Sequence, residues 1–184
     1  MVVIRACHAP REFARIEPHK SLKLERKRRK GAPLRSTGYK LGRFFLCRLK
    51  HNSAFVQSIK NFAKEKRVTI AVFTVIGAVK KAKLACYDQV KHEYQQIKLD
   101  KPLEIASCFG NLSLKDGKPF VHIHAVLADA TGKTYSGHLI NATVFAAELH
   151  LQELLGNKLE REYDQTTGLA LWEFGNDKLN PLRR

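Results

Sequence analysis

The chain lacks the features that would tie it to a membrane, an oxidising compartment or a thiolate metal centre. Its longest apolar run, Thr69 to Val79, is about half the length a membrane-spanning helix needs. The N-terminus has no continuous apolar stretch of the kind a secretory signal requires. Cys7, Cys47, Cys86 and Cys108 are widely separated and form no CxxC pair, the pattern of reduced thiols in a chain without a secretion signal. A cytoplasmic protein with no membrane partner is the expectation. Acidic residues are also scarce, 17 Asp and Glu against 33 Lys and Arg, which leaves a net charge of +16. What remains is ample for a core: 184 residues, 44% of them apolar, suffice for one self-supporting domain.

The charge is unevenly spread. Residues 1–36 carry 11 basic and 3 acidic side chains, a net +8, so the other 148 carry 22 and 14, also +8. The run "KLERKRRKGAPLR", Lys23 to Arg35, cannot bury itself. Residues 1–36 are therefore expected to be a disordered basic extension, and residues 37–184 the folded domain. Arg26, Lys27, Arg28, Arg29 and Lys30 are the candidate contacts to nucleic-acid phosphates, since each phosphate neutralised adds a salt-dependent increment to binding. The Gly-Arg-Pro centre of an AT-hook is absent, so minor-groove reading is not expected. A merely solvated leader is the competing reading.

From Gly42 onward the pattern is regular. "GRFFLCRLK" reads as a strand, and "NSAFVQSIKNFAKEK" as a helix with Asn52 or Ser53 as N-cap and Phe55, Ile59, Phe62 and Ala63 on one face. "VTIAVFTVIG" is a short buried strand ended by glycine. "KAKLACYD", "HEYQQIKL", "LEIASCFGNLSL" and "NATVFAAELHLQEL" read as further strands, and "REYDQTTGLALWEF" as one more. Many strands with one principal helix predict an α+β fold on a mainly antiparallel sheet.

Three of the eight histidines fall in "PFVHIHAVLADATGKTYSGHLI". A turn at Asp129–Lys133, centred on Thr131, pairs His124 with His138 and His122 with Ile140. Alternation then puts His122, His124 and His138 on one face, opposite the apolar Val121, Ile123, Ala125 and Leu127. A second turn, Lys115–Lys118, sets Asn111 opposite His122, Ser113 opposite Phe120 and Leu112 opposite Val121. Asn111 is thereby placed to hydrogen-bond a ligand or a histidine nitrogen. Three imidazoles from adjacent strands suit zinc with a fourth position open to water or substrate, where the metal would acidify water or polarise an oxygen. Half-buried sheet histidines bonded to backbone or solvent are the alternative. His150 reads as surface, Tyr135, opposite Leu127, as packing, and Glu148 as a candidate acid or base; Cys108 stays outside the site.

These segments resemble the PPC (plants and prokaryotes conserved) domain. The likeness rests on "GRFFLCRL", "FTVIGAV", "LEIASCFGNLSL", "DGKPFVHIHAVLAD" and "GHLINATVFAAELHLQEL", and spans about Tyr39 to Leu155. It implies an α/β fold on a mainly antiparallel sheet, a homotrimer, and a DNA-binding role. The histidine motif is also similar to the zinc site of acetolactate decarboxylase, whose HxH strand and later Gly-His match His122, His124 and Gly137-His138. Two functions follow as expectations. One is a DNA-binding regulatory protein with a three-histidine metal site. The other is a zinc-dependent enzyme or small-molecule sensor.

Overall fold

Glycine at position 77 lets one strand continue where the sequence suggests an end. The structure, a computed structural model, describes residues 35–174. In it, β2 (Ala71–Asp88) runs unbroken through Gly77, which sits at φ 124° in a register shift of the β2 ladder. A Cβ there would lie 2.2 Å from the Ala146 carbonyl oxygen, so only glycine lets the neighbouring strand pass this close. The partner strand is equally long: β6 spans Thr134–Leu155 and absorbs three shifts against β2. Bulges bend both, so each contributes to two regions of the sheet.

The remaining elements are β1 (Lys40–Leu49), α1 (Phe55–Lys66), β3 (Glu93–Leu99), β4 (Leu103–Lys115), β5 (Lys118–Ala128), β7 (Glu160–Asp164) and β8 (Leu169–Glu173). The central ladder closes on itself: β2 pairs with β6, β6 with β5, β5 with β4, and β4 again with β2. β1 flanks β6, β3 flanks β2, and the β7–β8 hairpin joins β4. Every ladder is antiparallel except the single β4–β7 bridge, Leu114 to Glu160. A mainly antiparallel sheet with one helix among the described residues is the α+β architecture expected. The segment 160–174 differs from expectation, forming two strands rather than one. Asp164 accepts hydrogen bonds from the Thr167 amide and hydroxyl, and Gly168 takes a positive φ, which turns the chain back.

Alternation decides the core. Val121, Ile123, Ala125 and Leu127 are all buried, as are Leu84, Leu112, Val144, Leu149 and Leu151 from the facing strands. Phe55, Ile59 and Ala63 of α1 close this core from outside, packing toward β5 and β6. The helix starts one residue later than Ser53, or two later than Asn52, would cap it: Ala54 is the N-cap. Asn52 and Ser53 are instead held by β6, with the Asn52 amide donating to the Val144 carbonyl and the Val144 amide to the Ser53 carbonyl. Of the sequence expectations, the basic stretch Arg26, Lys27, Arg28, Arg29 and Lys30 lies outside the described residues.

Candidate metal centre

β5 carries His122 and His124, and β6 carries His138. The ladder registers are those the two turns imply: His124 pairs with His138, Asn111 with His122, Ser113 with Phe120 and Leu112 with Val121. Asp129 holds the first turn by accepting from the Thr131 amide and hydroxyl, the Lys133 amide and the Lys101 ammonium. One expected pair is missing. The β5–β6 ladder ends at His124–His138, because from His138 onward β6 bonds to β2 and draws away from β5, so His122 and Ile140 do not pair. The transfer happens at Gly137. A Cβ at this residue would sit 2.7 Å from the Ala85 carbonyl oxygen, so glycine before His138 lets β2 approach the hairpin.

The three imidazoles still converge. Ring centroids lie 5.1 Å apart for His122 and His124, 5.2 Å for His122 and His138, and 5.9 Å for His124 and His138. One ligand nitrogen from each falls within 4.8 Å of the others. A tetrahedral ion with bonds of about 2.0–2.1 Å holds nitrogens about 3.4 Å apart, so modest ring rotation brings the set into bonding range. The donors suit a cation in two further ways. Burial, reinforced by His138, Arg161 and His124, pushes the His122 pKa down to about 4, and burial, His124 and Arg161 also lower that of His138. Both rings are therefore neutral, ligand-ready imidazoles at physiological pH. Moreover, His138 Nδ1 is buried and has no hydrogen-bond partner among the described residues, an expensive state that a bound cation with its coordinated waters would relieve.

Residues from two more elements wall the cluster. Tyr94 of β3 tilts over His138 at 5.6 Å and meets Tyr87 at 4.9 Å. On the other side stands Arg161 of β7, which the sequence pattern alone does not single out. Its Nε donates to Ser113 Oγ, Nη2 to Asn111 Oδ1 and Nη1 to the Ala170 carbonyl, each at 2.9 Å. Asn111 is thus beside His122 as expected, but its oxygen is engaged by Arg161 rather than by a histidine. Nothing local in "REYDQTTGLALW" marks this arginine, because its two side-chain partners lie about fifty residues upstream on β4. Glu148 is not at the centre. It pairs with Ile76 and Arg48, and Ile76 is nine positions along β2 from Ala85, the partner of His138, roughly 30 Å of extended strand. Among the described residues, no carboxylate joins the three histidines as a metal ligand. His150 is partly buried in the β1–β6–β2 region, Tyr135 packs against the core and Cys108 is buried, its thiol pushed up to about 12 by desolvation.

A family model for the Plants and Prokaryotes Conserved (PCC) domain matches residues 36–155. This chain belongs to that family. The PCC fold is shared with a metal-containing protein of Archaeoglobus fulgidus, 42% identical, with 77% of this chain and 100% of that one aligned at a TM-score of 0.74. A plant- and prokaryote-conserved protein of Pyrococcus horikoshii is 40% identical, over 77% and 98% of the two chains, at a TM-score of 0.73. A curated relative, the bifunctional protein GlmU of Synechococcus sp. (strain JA-3-3Ab), is 30% identical over 129 residues, 68% of this chain and 20% of that one. The chain thus spans about a fifth of that relative's length. More distant likenesses, of fold alone, include a candidate DNA-binding protein of Bacteroides thetaiotaomicron, 21% identical over 74% and 97% of the two chains, at a TM-score of 0.67. The α-acetolactate decarboxylase of Bacillus subtilis, 12% identical at a TM-score of 0.46, is too distant to carry chemistry across.

Proposed function

We propose that this PCC-domain protein is a cytoplasmic, zinc-binding regulatory protein that engages DNA through its basic N-terminal segment. The observation that carries the metal is the convergence of one nitrogen from each of His122, His124 and His138 within 4.8 Å. The metal-containing relative from Archaeoglobus fulgidus, 42% identical, supports the same reading. Zinc held by three imidazoles keeps a fourth position for an exogenous ligand and supplies Lewis acidity there. The chain's own contribution is to keep His122 and His138 neutral and to hold the rings in register. Metal analysis of the purified protein should find about one zinc per chain, and His124→Ala should lose it while retaining the native circular dichroism spectrum. A folded wild-type protein that takes up no divalent metal would end this reading.

DNA is supported by charge, +8 in residues 1–36. Phosphate contacts by Arg26, Lys27, Arg28, Arg29 and Lys30 predict affinity that falls steeply with salt. A chain beginning at Gly38 should bind duplex DNA at least tenfold more weakly, and unchanged binding would remove the basic segment from the account. A homotrimer is supported by two exposed apolar side chains, Leu46 and Phe109, in one cross-strand row of the sheet. Leu46 pairs with His150, His150 with Thr74, Thr74 with Phe109 and Phe109 with His124, while Leu46 and Phe109 are 73% and 57% exposed. Apolar surface beside the metal centre is what a neighbouring subunit would cover. Light scattering tests it.

A further inference from the structure

Arg161 is a buried charge with no counter-ion among the described residues. Only 7% of it is exposed, and among the described residues no carboxylate lies within ion-pair distance of it. Its guanidinium lies 5.1 Å from the Phe120 ring and 5.4 Å from the Trp172 ring, and its three protein acceptors, Ser113, Asn111 and Ala170, are all neutral. Desolvation by burial lowers its pKa. Burying an unpaired charge is costly, and hydrophobic residues would tie β7–β8 to β4 at less cost. A purely structural role does not explain why a cation is there.

Its free valences and its position do. A guanidinium has five N–H groups, three of which are used, so one N–H on each terminal nitrogen has no protein acceptor among the described residues. Two donors on one rigid plane match the two oxygens of a carboxylate or phosphate. Asn111, which accepts from Nη2, is the cross-strand partner of His122, so the guanidinium adjoins the histidine cluster. We propose that Arg161, held by Asn111 and Ser113, is the receptor for a small oxyanion, of carboxylate or phosphate chemistry, that binds beside the three histidines. This goes beyond the metal reading and does not depend on it, because the anion's charge partner is Arg161 itself.

Trp172 is the only tryptophan of the chain and lies against the guanidinium, so its fluorescence reports on this site alone. Full-length protein is titrated with inorganic phosphate and, separately, with acetate, at constant ionic strength, and zinc content is measured on the same samples. The expected result is a saturable change in Trp172 emission with at least one of the two anions; which one saturates at the lower concentration identifies the class. The Asn111→Asp variant supplies an internal carboxylate to Arg161 at nearly the same shape. It should keep or raise the melting temperature while weakening the anion at least tenfold. Arg161→Gln should abolish the response, and the Asn111→Asp result keeps the test decisive even where that variant unfolds. Two results would overturn the proposal: no saturable response to either anion, or an unaltered response in Asn111→Asp. Neither result depends on zinc content, so failure of the metal site is distinguished from failure of the anion site.

Discussion

Replacing Gly137 by alanine probes the joint between the histidine hairpin and the rest of the sheet. The added Cβ would meet the Ala85 carbonyl oxygen at 2.7 Å and the Ala85 carbonyl carbon at 3.4 Å, both backbone atoms that cannot swing aside. The residue also sits at φ 153°, where glycine is nearly alone in being comfortable. Strain of about 1–3 kcal/mol from the backbone and about 1–3 kcal/mol from overpacking sets the expected loss at roughly 2–6 kcal/mol. Gly132→Ala is the control. Gly132 likewise has positive φ, 80°, but nothing lies within 4 Å of its would-be Cβ, so it should lose only about 1–2 kcal/mol. Urea denaturation of both variants, compared at equal m-value, isolates the crowding term. Because the forced separation moves His138 away from β2, Gly137→Ala should also hold zinc less tightly, whereas Gly132→Ala should not. Equal losses in the two variants would refute the claim that close approach of β2 positions His138.

Two further outcomes follow from the packing and the titration of the site. In metal-free protein His122 has a folded pKa of about 4 against an ordinary 6.5, so the unfolded chain takes up the proton first as pH falls. Its contribution to stability is complete above pH 6.5 and is lost progressively down to about pH 4, by at most about 3 kcal/mol; melting curves of wild type and His122→Gln should diverge across that window and run parallel above it. Ile123→Ala deletes a side chain that is 1% exposed, directly behind the histidine face, and should cost about 2–5 kcal/mol in chemical denaturation.

Much of the candidate site could be read in advance because it is local. Asp116-Gly117 and Asp129–Lys133 dictate their turns through short-range chemistry, and strict alternation then carries that register outward to Asn111, His122, His124 and His138. The family resemblance follows the same segments and agrees with the match over residues 36–155. The limit appears where strands change partners. His122 and Ile140 part company because β6 is pulled toward β2 at Gly137, an approach between positions about fifty residues apart that no turn encodes. Gly77 looks like a strand end in one dimension, yet in the fold it is the residue that lets β2 lie against Ala146.

What the sequence determined by itself was therefore the local grammar: charge distribution, helix face, turns, and the single polar face bearing three histidines. Only the tertiary structure decided what surrounds that face. It brought Tyr94 from the β2–β3 ribbon against His138, and Arg161 from the β7–β8 hairpin against Asn111 beside His122, while leaving Glu148 far along β2. The physical reason is that a closed ladder makes neighbours of strands distant in the chain. Whether a buried cation meets a carboxylate, an amide or an aromatic ring depends on that closure, not on anything within a few residues of it.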